Sequence, residues 1–105
     1  MLVIVVFFAV YVRGPNKRSP RKLLLTIAST GFEVEKGEAI TQAIEGAEFA
    51  FWIEIDGDRV AAYRFGSTDR AKDVADAFQK GFAAGYWAFD HVDSQTRAKL
   101  ATALK

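Results

Sequence analysis

The chain has 105 residues, half of them hydrophobic, with fourteen Lys/Arg, thirteen Asp/Glu, two tryptophans, one histidine and no cysteine. That length suits one domain with one packed core. The missing cysteine excludes disulfides, thiolate metal sites, a cysteine nucleophile and a lipid-carrying cysteine, and leaves the redox compartment open.

A net charge of +1 hides a split along the chain. Residues 1–12 (MLVIVVFFAVYV) carry no charge, and residues 13–22 (RGPNKRSPRK) carry five basic groups and no acid. The remainder holds nine basic residues against all thirteen acids. The apolar dozen has three readings. As a helix it reaches about 18 Å, short of the roughly 30 Å of hydrocarbon, so a membrane anchor needs snorkelling or a thinned bilayer. As a secretory signal it has the right length but no basic start and no small-residue cleavage site. As a strand it is rich in β-branched and aromatic residues and must be covered on both faces. In the anchor reading the basic cluster Arg13, Lys17, Arg18, Arg21 and Lys22 places the domain on the cytoplasmic side. The same cluster is a set of lipid-contact candidates for anionic headgroups; otherwise it is a solvated linker.

The domain spans residues 19–105, overlapping the end of that linker. Ser19-Pro20 predicts a helix start, with Leu23, Leu24, Ile27 and Ala28 on one face and Gly31 as the stop. Residues 32–35 alternate as a short strand, and residues 36–46 are weakly patterned. Residues 48–55 and 59–66 flank Asp56-Gly57-Asp58 and predict a hairpin. A three-residue loop sets Phe49, Phe51, Ile53 and Ile55 on one face with Tyr63 and Phe65. A two-residue loop instead sets Phe49 opposite Arg64 and Phe51 opposite Ala62. The odd loop is preferred because it gathers the aromatics into one core. Ser67-Thr68-Asp69 caps a second helix with the stripe Ala71, Val74, Ala75, Phe78 and Phe82, ended by Gly81 or Gly85. A last strand lies within residues 86–92. Ser94 caps a closing helix with Ala98, Leu100, Ala101 and Leu104 on its apolar face.

The class is α+β: a mostly antiparallel sheet with helices packed on one face. It becomes a ferredoxin-like split βαβ if residues 2–12 form the first strand. The segments Thr30-Gly31-Phe32-Glu33-Val34, Tyr63-Arg64-Phe65 and Ser67-Thr68-Asp69-Arg70-Ala71-Lys72 carry a resemblance to small bacterial α+β domains of unknown function, held behind a lipoprotein signal or short membrane anchor. The chain departs from the lipoprotein form in having no cysteine. The resemblance implies an anchored accessory domain and no catalytic residues.

Chemistry is sparse. His91 lies in Asp90-His91-Val92-Asp93, and alternation puts Asp90 and His91 on opposite faces of a strand. A metal site wants three or four converging ligands, so no metal is expected there. Asp56 and Asp58 are turn formers before they are acid–base groups. No phosphate loop and no nucleophile triad is present, so no cofactor and no catalytic residue is expected. An acidic domain with its aromatics in the core speaks against nucleic acid. Trp52, on the hairpin face of Glu48 and Glu54, and Trp87 are the partner-binding candidates, because tryptophan is enriched in binding hot spots. The expected function is a non-catalytic, protein-binding accessory domain at a membrane or among subunits of a membrane complex. The alternative is a soluble cytoplasmic ferredoxin-like homodimer.

Overall fold

The structure is a computed structural model that describes residues 18–42 and 44–104. Residues 1–12, with the anchor, signal and first-strand readings placed on them, lie outside the described part, as do Arg13 and Lys17. The described elements are α1 (Pro20–Ala28), β1 (Val34–Ala39), β2 (Phe49–Ile55), β3 (Asp58–Arg64), α2 (Thr68–Ala77), β4 (Phe82–Ala84), β5 (Trp87–Asp90) and α3 (Ser94–Leu104). The five strands form one antiparallel sheet in the order β1-β2-β3-β5-β4. The class is α+β. A ferredoxin-like sheet seats its first strand between the hairpin and the last strand. Here β5 bonds β3 directly, with Ala62 opposite Phe89, so the described strands fill that slot themselves.

The helix starts follow from their caps. The Ser19 hydroxyl accepts the Lys22 N–H at 3.2 Å, and the Ser67 hydroxyl accepts that of Arg70 at 3.1 Å. Each satisfies a first-turn donor that the helix itself leaves unpaired. At α3 the expected cap, Ser94, is already helical; Asp93 does the capping, its carboxylate accepting the Thr96 N–H at 2.8 Å. Helix α2 ends earlier than its apolar stripe suggests. Phe78 turns extended (ψ 146°), and Phe82 belongs to β4 rather than to the helix.

The hairpin takes the two-residue loop, against the preferred reading. Ile55 pairs with Asp58, and Asp56 and Gly57 both have positive φ, 51° and 88°. This is the primed turn whose twist matches the strands, and Asp-Gly suits it. Phe49 therefore faces Arg64, and Phe51 faces Ala62. The aromatics were expected on one face because only one face was taken to be covered. In the structure helices pack on both faces.

Phe51, Ile53 and Ile55 join Val60, Ala62, Trp87 and Phe89 in a first core under Leu23 and Ile27 of α1 and Leu100, Ala103 and Leu104 of α3. Tyr63, Phe65, Ala61 and Ala88 point the other way, into a second core against Ala71, Val74 and Ala75 of α2. Two helices thus share one face as expected, and the third closes the opposite face. Phe49 is the most exposed of the hairpin aromatics, at 40 %, with the Arg64 guanidinium 4.7 Å from its ring.

The hairpin turn is also an electrostatic joint. The Asp56 carboxylate accepts the Glu33 N–H at 2.9 Å and pairs with Lys99 of α3 at 3.0 Å. The Glu33 hydrogen bond, then Lys99, hold its pKa below the ordinary value; the Thr96 N–H does the same for Asp93. Groups with depressed folded pKa values give stability that is complete above the unfolded value, about 4, and lost as pH falls through the folded one. Thermal melts from neutral pH downward are therefore expected to fall off below about pH 4. Asp56→Asn keeps the turn, since asparagine also accepts positive φ. It is expected to flatten that acid limb; an unchanged limb would remove Asp56 from the account.

Candidate functional site

Of the two candidate tryptophans, only Trp52 is at the surface. Trp87 is fully buried, edge-on to Phe51 at 5.7 Å, and its indole N–H donates to the Arg18 carbonyl oxygen at 3.1 Å. It is a core residue, because β5 lies inside the sheet with its Trp87 face under α1 and α3. Only the enrichment of tryptophan in binding hot spots makes it a candidate, and residue type alone does not show which face of the strand is covered.

Trp52 projects from β2 onto the second face, where α2 covers only part of the sheet. The end holding Tyr63 and Phe65 is closed by α2 and by Ile40, Ile44 and Ala47. The other end, with Glu35, Glu54 and Arg59, is exposed, and Trp52 stands partly exposed between the two. Two side chains clasp it. The Arg59 guanidinium lies 4.3 Å from the ring centroid, and the His91 imidazole stacks at 5.6 Å with a 30° interplanar angle. Arg59 is held in turn by an ion pair with Glu38. Beneath the indole, Gly37 of β1 passes so close that a Cβ there would sit 3.0 Å from Trp52 Cβ.

His91 is placed by the backbone. It follows β5 with φ 62°, a conformation unusual for a bulky residue. The Asp90 carboxylate accepts the His91 N–H at 2.7 Å and fixes that turn. Strain of this kind costs about 1 kcal/mol or more and gathers where function needs it. His91→Gly is accordingly expected to leave thermal stability equal or higher by up to about 1 kcal/mol, while freeing the Trp52 ring. Acrylamide quenching of tryptophan fluorescence reads the second effect. A marked loss of stability would show that the imidazole is a structural wedge instead.

The remaining polar candidates take separate duties. Asp93 is the α3 cap, and Asp58 accepts the Thr96 hydroxyl at 3.2 Å. Asp90 and His91 are only loosely paired, 3.8 Å apart. Tyr63 is buried against Phe78 (5.8 Å); burial, and then the Asp90 charge, push its phenol pKa up. Among the described residues no group of three His, Asp or Glu side chains could hold a metal ion. A shallow cleft of about 450 Å³ runs beside His91, lined by Ala77, Phe78, Gln79, Lys80 and Asp90. It has no nucleophile–base pair.

Of the lipid-contact candidates, Arg21 and Lys22 are exposed in the first turn of α1. Arg18 is 8 % exposed, and burial lowers its pKa from the ordinary arginine value, so it is not a free headgroup contact. Its carbonyl oxygen also accepts from Arg64 at 3.2 Å. No described helix is long and apolar enough to cross a membrane. Arg59 and His91 as neighbours of Trp52 were missed from sequence. The two-residue hairpin register, which sets Arg59 opposite Glu54, would have revealed the first of them. Comparison with known protein families, curated proteins and solved structures finds no match.

Proposed function

We propose that this chain is a non-catalytic protein-binding domain, held at a membrane or membrane complex by its first twelve residues, with Trp52 as the anchor for its partner. The observation that carries the reading is a tryptophan kept partly exposed between Arg59 and His91 on the open end of an otherwise covered sheet face. Tryptophan and arginine dominate binding hot spots, and a clasped ring is already ordered before a partner arrives. The membrane half rests on the uncharged run of residues 1–12 followed by five basic groups, which favours the cytoplasmic side.

Cell fractionation of the full chain beside a Val5→Asp/Phe8→Asp variant tests the attachment. The parent is expected to stay with membranes through high salt and alkaline wash, and the variant to be released. A freely soluble parent would overturn that half. A photo-crosslinker at Gln79, beside His91, tests the contact. It is expected to capture a membrane-fraction protein that a crosslinker at the exposed Leu25 of α1 does not, with loss of capture in Trp52→Ala. Equal capture from both positions, or capture that survives Trp52→Ala, would overturn the Trp52 site.

A further inference from the structure

The open end of the second face carries an unusual row. Across β1, β2 and β3 it reads Glu35, Glu54, Arg59, with Glu35 directly opposite Glu54 and Glu54 directly opposite Arg59. Like charges directly opposite in a sheet are destabilising. Arg59 makes its ion pair with Glu38 rather than with Glu54, and its guanidinium lies over the Trp52 ring. Neither Glu35 nor Glu54 has an ion-pair partner among the described residues. Trp52 stands two residues along β2 from Glu54 on the same face, about 7 Å away. Strand β1 is the sheet edge, so the approach to this row is not closed by another described strand.

We propose that Trp52, Glu35 and Glu54 together dock an extended cationic segment of a partner protein, a lysine or arginine seating between the two carboxylates while an apolar neighbour packs against the part of the indole that Arg59 and His91 leave exposed. The inference rests on the protein-binding reading above and names the partner's chemistry. Charge complementarity selects the occupant: two neighbouring carboxylates without an ion-pair partner among the described residues disfavour nucleic acid and anionic headgroups and favour a cation. The apolar ring beside them calls for a peptide rather than a bare ion. The basic flanks of membrane proteins on the cytoplasmic side have this composition.

The test is binding of a dye-labelled peptide of alternating lysine and valine to the full chain, read by fluorescence anisotropy, against an alternating glutamate–valine peptide. The lysine peptide is expected to bind and the glutamate peptide not to bind. E35Q/E54Q and W52A are each expected to weaken binding about tenfold, the scale of a 1.4 kcal/mol loss. Rising salt is expected to weaken it further. E35Q/E54Q is also expected to melt at or above the parent temperature, because the repulsion is gone. Equal binding of both peptides, or undiminished binding by a well-folded E35Q/E54Q, would overturn the proposal. If crosslinking from Gln79 is then lost in W52A but kept in E35Q/E54Q, the Trp52 site stands and the cationic partner does not.

Discussion

Gly81→Ala is expected to destabilise the domain by about 3 kcal/mol, the upper part of the overpacking range. A Cβ at Gly81 would lie 2.1 Å from the Ala75 carbonyl oxygen and 3.0 Å from Phe78 Cβ. The obstacle is backbone, so no side-chain rotation clears it. Ala75 is itself pinned in the second core, and its carbonyl accepts the Phe78 N–H that ends α2. The Gly81 carbonyl in turn accepts from Arg97 of α3, so β4 cannot drift outward without losing that bond. Gly57 provides the control. Its φ is 88°, but a Cβ there meets nothing within 4 Å. Gly57→Ala carries only the conformational cost, about 1 kcal/mol. Thermal melts should therefore rank Gly81→Ala well below Gly57→Ala. The reverse order would mean that the α2–β4 approach relaxes freely.

Trp87→Ala should cost roughly 3–5 kcal/mol, which is much of the margin of a small domain. The ring is fully buried and touches both Phe51 and Phe89, so its removal opens a cavity at the centre of the first core. The melting temperature is expected to fall by on the order of 20 °C. Trp87→Phe should cost less, since Arg64 still donates to the Arg18 carbonyl. A Trp87→Ala protein that melts near the parent would place the core elsewhere. Trp52→Ala, by contrast, removes a partly exposed ring and is expected to change stability little.

Local signals in the sequence carried the elements that depend on local physics. Ser19-Pro20 and Ser67 began their helices because a hydroxyl at the cap satisfies a backbone donor whatever the rest of the chain does. Gly31, with φ 101°, turns the chain just beyond the first helix, whose C-cap is Ser29 rather than the residue before the glycine. What failed were inferences that required knowing the surroundings. The hairpin register differs from the expected one because a single core cannot be told from two in the sequence, and α2 supplies a second core for Tyr63 and Phe65. Phe82 continues the helical stripe of α2 in sequence, but Gly81 lets the chain turn back beneath Ala75 and makes it a strand residue. Asp93 and Ser94 are both good caps, and only the geometry of Thr96 chooses between them. The site was half legible. Trp52 was picked out by its hairpin face, but its clasp by Arg59 and His91 depends on register and on a positive φ that composition does not show.

The Arg18 carbonyl has a mechanical consequence. It accepts from Trp87 at the centre of the first core and from Arg64 at the end of β3. The junction between the basic segment and the folded domain is thus fastened through main-chain oxygen, independent of which side chain residue 18 carries. Tension along the chain at residue 18 would therefore be shared between α1, which begins two residues on, and these two hydrogen bonds, so that part of the load reaches the buried indole and the end of β3.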